Sequence, residues 1–503
     1  MFGFHYQYVF FLLSVFVLLA GACVPIGSDD DDDTFDDDVV IDDDATDDDT
    51  QPDDDAADDD GADDDAVVDD DVADDDAGDD DDDTQGPAEF CPPPSDQNGV
   101  FVSPTGDDAN PGTMAQPCQT IEAALDLAQP AGKTVFVAAG EYQEDLWSAV
   151  SLCGGYEAVT WARDITLNVT TIDAETDTTL IFSGDNPVVL EGFTINAGLG
   201  TSASVGVAIY NTATLAHNTI DGGAGSKNSF GVLHYSDGEL TLIGNVIHGG
   251  SGSLSSNGVA NYHDATLTGN LIDGGSGGQS CAVYNYFNPI ALANNTLVGG
   301  TGSGTSLGVL SWRAHAILAG NIVDGGSGEQ SLAVGNYQGV MIAVNNTIHG
   351  GSGAYLNTGV SNEEGHTTLV NNIVLAGSSS AYYSAISVSG ENILVNNDLR
   401  ANSAGCLLRC GYDECLNDLD EINACGWIDC TEAADNISVV PVFADPIAGD
   451  VHLQDISLCI DAGIDPIPAY LGAEYEVLVA FDFDGQPRPY GAGWDIGADE
   501  WVP

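Results

Sequence analysis

The chain has 503 residues, of which 81 are acidic and only 7 are Lys or Arg, for a net charge of −74. A field of that sign repels nucleic acid, anionic lipid headgroups and polyuronic acids, and leaves cationic partners or neutral glycans as binding classes.

Residues 1–23 read as an export signal. Val9 to Ala20 is an almost unbroken apolar run that ends in Ala20-Gly21-Ala22-Cys23. It is shorter than a membrane span and is followed at once by acid. The small residues before Cys23 resemble the bacterial lipobox, which implies that Cys23 is diacylated and anchors the mature chain in a membrane. The cell envelope is then its location, as an outer-membrane lipoprotein facing the cell surface. Ala20 stands where leucine is commoner, and no Lys or Arg precedes the apolar core. Plain secretion after cleavage at the same residues is the alternative.

Residues 24–88 read as a disordered spacer. Between Asp29 and Asp83 there are 34 aspartates and one aromatic, Phe35. Repelling charges with so little apolar surface cannot offset the entropy of ordering. No cofactor is required by any motif. Calcium is the one candidate, condensed on these runs or held near the other end by Asp461, Asp482, Asp484, Asp495 and Asp499, whose spacing matches no EF-hand loop. The remaining 47 acidic residues keep the rest of the chain acidic in its own right.

Residues 89–170 are expected to form an N-terminal cap and the first coils, with a short amphipathic helix from Ile121 to Ala128 over the open end of the core. Residues 171–400 carry a repeat. Asparagine recurs at Asn218, Asn245, Asn270, Asn295, Asn321, Asn346, Asn372 and Asn397, at intervals of 25 to 27 residues. A fixed period in that range means a solenoid. Each unit reads as short β-prone stretches, such as Thr266-Leu267-Thr268 and Asn270-Leu271-Ile272, followed by a Gly274-Gly275 turn. An Asn at the same turn of every coil can bond its neighbours above and below, which predicts an internal amide ladder. Asn261, Asn285, Asn336 and Asn362, with His234 and Ser311 between them, suggest a second and less regular one.

Two further columns are candidate sites. Tyr210, Tyr235, Tyr262, Tyr286, Trp312 and Tyr337 follow the second ladder in successive coils, before Glu363. Strand alternation turns them outward, where a file of rings could stack on neutral sugars, with His263 and Arg313 as polar neighbours. The alternative is that the rings stack on one another. The other column, before the double glycine, reads Asp221, His248, Asp273, Val298, Asp324, His349. Acid alternating with imidazole could hold a first-row metal. The simpler reading is that alternation avoids stacked like charges.

Residues 401–503 are expected to be a Cys-rich loop region and a closing segment. Of the ten cysteines after Cys23, five lie between Cys406 and Cys430, so at least one of these must pair elsewhere or stay free. Cys281, inside a coil, reads as a small buried residue.

With these features together, the chain resembles the pectin-lyase-like, right-handed parallel β-helix superfamily, and within it exported bacterial β-helix repeat lipoproteins of mostly unassigned function. The resemblance is carried by Val102-Ser103-Pro104-Thr105-Gly106-Asp107-Asp108, Pro111-Gly112-Thr113, Ala139-Gly140-Glu141-Tyr142, Cys459-Ile460-Asp461-Ala462-Gly463, Asp482-Phe483-Asp484-Gly485 and Asp495-Ile496-Gly497-Ala498-Asp499-Glu500. It implies an all-β solenoid with a capping strand and helix. It does not imply one activity, because the fold carries lyases, hydrolases, epimerases and adhesins. A polyuronate lyase needs calcium and an Arg or Lys base, but the repeated coils hold only Lys227 and Arg313, without acidic pairs beside them. The Asn-Thr-Asp, Gly-His-Gly and Arg-Ile-Lys segments of polygalacturonases are absent, and Glu363-Glu364 would face opposite ways on a strand. The expected function is therefore binding or display: adhesion to a surface protein or recognition of a neutral polysaccharide through the rings. A carbohydrate-active enzyme and a structural envelope protein are the alternatives.

Overall fold

The computed structural model describes residues 90–174, 176–378, 382–401, 405–411 and 414–503; the leader, Cys23 and the spacer lie outside them. Its architecture is a right-handed parallel β-helix. Each coil visits three parallel sheets in turn, as in Ala265–Thr268, Leu271–Asp273 and Ser276–Tyr286. Sheet 1 has 13 strands, from Gly99–Val102 to Cys430–Ala434; sheet 2 has 11, from Gly140–Gln143 to Asp398–Arg400; sheet 3 has 14, most with the long strands of the coils.

The register explains the core. Leu215, Leu242, Leu267, Leu292 and Leu318 occupy equivalent places in successive strands of sheet 1. Ile220, Ile247, Ile272, Leu297 and Val323 do the same in sheet 2. All ten are at most 1% exposed, so like stacks on like. Each aliphatic side chain buried in this way contributes roughly 1.5–3 kcal/mol.

The bends between sheets follow from backbone preference. The residue before each ladder asparagine has φ between +52° and +66°: His217, Gly244, Gly269, Asn294, Gly320, Asn345, Asn371 and Asn396. Glycine and asparagine are the residues that tolerate this left-handed conformation. At the double-glycine bend, Gly275 has φ +74°, and a Cβ there would lie 2.3 Å from the Gly250 carbonyl oxygen. No side chain fits.

At the N-terminal end, helix Ile121–Ala128 begins at Thr120, whose hydroxyl accepts the Ala123 N–H at 3.2 Å. Ile121, Ala124, Leu125 and Ala128 form its buried stripe and close the core. Glu191, buried, accepts the Cys91 N–H at 2.9 Å and meets Arg163 and His217, each at 3.2 Å. Burial alone would raise its carboxyl, but the His217 hydrogen bond and the Arg163 charge outweigh that and hold it below the usual range.

The solenoid continues past Arg400. Cys406–Cys410 joins sheet 3 and Cys430–Ala434 joins sheet 1. Disulfides join Cys91 to Cys153, Cys406 to Cys415 and Cys425 to Cys430, chemistry that belongs to an oxidising, exported setting. Of the five clustered cysteines Cys410 stays free, and Cys118, Cys281 and Cys459 are free and buried. Among the described residues no helix is long and apolar enough to cross a membrane.

The chain after Ile437 folds back along the ridge between sheets 1 and 2. Asn345 and Asn371 donate to the carbonyls of Asp495 and Ile464 at 2.8 and 2.7 Å. Leu471, Val479 and Trp494 pack on Ile317, Val344, Val370 and Val395, while Phe443, Leu453, Cys459 and Ile496 pack with Ile373. This closing segment thus grips the ridge of the later coils.

Candidate functional site

The ladder asparagines are buried in every coil, at most 2% exposed. Asn218 Oδ1 accepts one bond, from the Phe193 N–H, and from Asn245 onward Oδ1 accepts two bonds from the coil before it. For Asn321 these come from the N–H and Nδ2 of Asn295, at 2.9 and 3.0 Å. Its own Nδ2 donates to the Leu292 carbonyl at 2.8 Å and to Asn346 Oδ1 at 3.0 Å. The pattern runs from Asn218 to Asn397 and on to Asn436, which accepts from Asn397 Nδ2 at 3.0 Å and lies beyond the repeat that the spacing made visible. The second ladder is interrupted. His234, Asn261 and Asn285 are linked at 2.7 Å each, Ser311 Oγ has no hydrogen-bond partner, and Asn336 resumes the chain to Asn362 and Asn392 at 3.0 and 3.1 Å.

The rings stand where sheet 3 turns towards sheet 1, next to these buried amides. Tyr210 is 38% exposed; Tyr235, Tyr262, Tyr286, Trp312 and Tyr337 are half-buried. Tyr210, Tyr235, Tyr262 and Tyr286 meet edge-on, with centroids 5.4 to 6.4 Å apart and planes at 65°. Trp312 and Tyr337 lie nearly parallel at 4.0 Å, and Phe287, 48% exposed, stands edge-on to Tyr286 at 4.1 Å. The rings therefore pack on one another and still present an outer edge to solvent. Burial, then the neighbouring Tyr235 and Tyr286, pushes the Tyr262 phenol up to about 12.

A polar rail borders the rings. Arg313, Gln338 and Glu364 follow the ring position in successive coils, with φ of 52° or 53°. Arg313 Nε donates to Gln338 Oε1 at 2.7 Å, and Gln338 Nε2 to Glu364 Oε2 at 2.5 Å. His263 Nδ1 lies 3.6 Å from Asp237. Beyond the turn, Glu239, Asp264, Thr266, His315, Ile317 and Tyr475 line a shallow open groove, with Tyr475 supplied by the closing segment.

The acid and imidazole column has a local role. Asp221, Asp273 and Asp324 each accept the N–H of the second glycine of the bend, Gly223, Gly275 and Gly326, at 2.5 to 2.6 Å. His349 Nδ1 lies 2.7 Å from Asp324 Oδ2. Among the described residues, three metal-ligating side chains converge elsewhere, at His452, Asp484 and Asp499. Asp484 and Asp499 stand out in the sequence as acids near the end of the chain, whereas His452 does not. The pattern Asp450-Val451-His452 sets an acid and an imidazole on one strand face and is the local signal for it.

A family model described as a protein of unknown function, DUF1565, matches residues 104–149, the stretch that includes the capping helix. No curated protein sequence matches the chain significantly. Among solved structures, the Dettilon tailspike protein is 13% identical, with 63% of this chain and 69% of that chain covered and a TM-score of 0.38. A rhamnogalacturonan lyase is 13% identical over 78% of this chain and 99% of its own, with a TM-score of 0.33. A structure of XylC with xylose is 9% identical over 80% and 98%, with a TM-score of 0.38.

Proposed function

We propose that this chain, a right-handed parallel β-helix of the pectin-lyase-like kind, is an exported binding protein that recognises a neutral polysaccharide along its file of rings. The observation that carries this reading is the run of six aromatic residues in six successive coils, flanked by the Arg313–Gln338–Glu364 rail. Coils rise about 4.8 Å each, so the rings offer regularly spaced apolar contacts to an extended chain of sugar rings. The excess of acid over base in the body favours an uncharged glycan. On this reading Cys23 is the lipid attachment point in the outer membrane.

The test is retardation of the full chain in gels containing neutral polysaccharides. Trp312→Ala and Tyr262→Ala are each expected to weaken retention up to about tenfold, as loss of about 0.5–1.5 kcal/mol of ring contact implies. Retention that is unchanged in both variants would sink the reading. A second reading, a glycoside-cleaving enzyme, draws on the groove that Glu239, Asp264 and His315 line from separate coils. It requires product that disappears on Glu239→Gln.

A further inference from the structure

We propose that His452, Asp484 and Asp499 form a binding site for one first-row divalent metal ion, of the zinc type, that pins the closing segment together. Each residue offers one ligand atom, and these atoms lie within 4.8 Å of one another. They come from three separate pieces of chain. His452 lies in strand Asp450–Leu453, Asp484 in the turn after Asp482, and Asp499 in the last residues. An ion bound to all three would join pieces that otherwise touch through single hydrogen bonds.

The imidazole is already oriented for the task. Asp450 Oδ1 holds its Nδ1 at 2.5 Å, which directs Nε2 to Asp484 Oδ2, also at 2.5 Å. A carboxylate behind the non-ligating nitrogen is the usual support of a metal-bound histidine. The Phe483 ring, with its centroid 5.0 Å from that of His452, covers one side. An ion at about 2.0–2.2 Å from each ligand would replace the hydrogen bond between Nε2 and Asp484 and leave a fourth place for water.

A second observation points to a cation. Asp499 is only 3% exposed and joins Asp450 and Asp484 as the third carboxylate around one imidazole, while Asp482, fully buried beside Asp499, accepts the N–H groups of Asp484, Gln486 and Glu500. The nearby guanidinium is shared among several acids, since the charge of Arg488 acts on Glu500, Asp482, Asp495 and Asp499 together. Arg488 is taken up by Glu500 at 3.3 Å and by the carbonyls of Gly497 and Ala498. Buried carboxylates in excess of their positive partners are ordinarily paired or metal-bound. One imidazole with two carboxylates suits zinc or a similar ion better than calcium or magnesium, which prefer all-oxygen shells.

The experiment uses the full chain, stripped with chelator and titrated with zinc against a competing chromophoric chelator. His452→Gln and Asp484→Asn serve as comparisons, because the aspartate runs and free thiols are identical in all three proteins. The wild-type chain is expected to hold one more tight zinc equivalent than either variant. Asp450→Asn should keep the stoichiometry and weaken the affinity roughly 10- to 100-fold. Zinc should also slow proteolysis after Ile437 in the wild-type chain and not in His452→Gln or Asp484→Asn. The same number of tight equivalents in all three proteins, or proteolysis of the wild-type chain that zinc leaves unchanged, would overturn the site.

Discussion

Between Asn218 and Asn436 the main line of buried polar side chains consists of neutral amides, each handing two hydrogen bonds to the next coil. Between Asp450 and Trp501 the buried polar side chains are mostly ions: Asp482, Arg488, Asp495, Asp499 and Glu500, each at most 8% exposed. A neutral ladder can be repeated indefinitely without accumulating charge, and it does not respond to pH. An ionic cluster can be built once, where acids and bases from distant parts of the chain happen to meet, and its stability is tied to their protonation. The long body and the clamp that grips it therefore differ in what can loosen them.

The largest effect that sharpens this contrast is expected from Asn321→Ala. It strands the Asn295 N–H, one Asn295 amide hydrogen and the Leu292 carbonyl in the core. At about 1–3 kcal/mol for each unsatisfied group the loss is on the order of 6 kcal/mol, equal at pH 5 and pH 8 by denaturant unfolding. A pH-dependent loss would break the comparison. Next comes Arg488→Met, which leaves Glu500 buried without its partner. It should cost about 3–5 kcal/mol. The loss should be confined to the closing segment, so that hydrogen exchange quickens after Ile437 while the ladder amides stay protected.

Asp398 joins the two regions. It is fully buried at the last strand of sheet 2 and accepts the Val439 N–H at 2.8 Å and the Cys459 thiol at 3.7 Å. Burial, against the opposing Val439 hydrogen bond and Arg400, pushes its carboxyl up to about 7. The folded chain then holds a proton that the unfolded chain releases near pH 4. Stability from this group is complete below about pH 4 and falls as pH rises to about 7, by as much as about 4 kcal/mol. Asp398→Asn should flatten that part of the pH–stability curve; an unchanged slope would show that other groups set it. The smallest effect is expected at Tyr210, the most exposed ring of the file, which meets Tyr235 edge-on. Tyr210→Ala should cost about 1 kcal/mol in thermal unfolding.

How far each region could be read from sequence follows the same division. The ladder repeats every 25 to 27 residues, so its asparagines, the glycine bends and the solenoid they imply are visible without coordinates. The capping helix is legible because its buried positions keep a helical period from Ile121 to Ala128. Asn436 is not, since the Cys-rich excursion places it 39 positions after Asn397. The ionic cluster has no period at all. Its aspartates stand out as acids near the end of the chain, but that His452 meets Asp484 is a fact of chain folding alone. The ring column shows the remaining gap: spacing finds the residues and the outward turn, whereas the 65° edge-on packing depends on how neighbouring side chains share the space.

The most direct test of the central claim is to incubate the full chain with a panel of neutral and acidic polysaccharides and measure bound polymer and released oligosaccharide in the same samples. Retention of a neutral polymer, no released product and loss of retention in Trp312→Ala are the predicted result. Released oligosaccharide, or retention that is confined to acidic polymers, would contradict it.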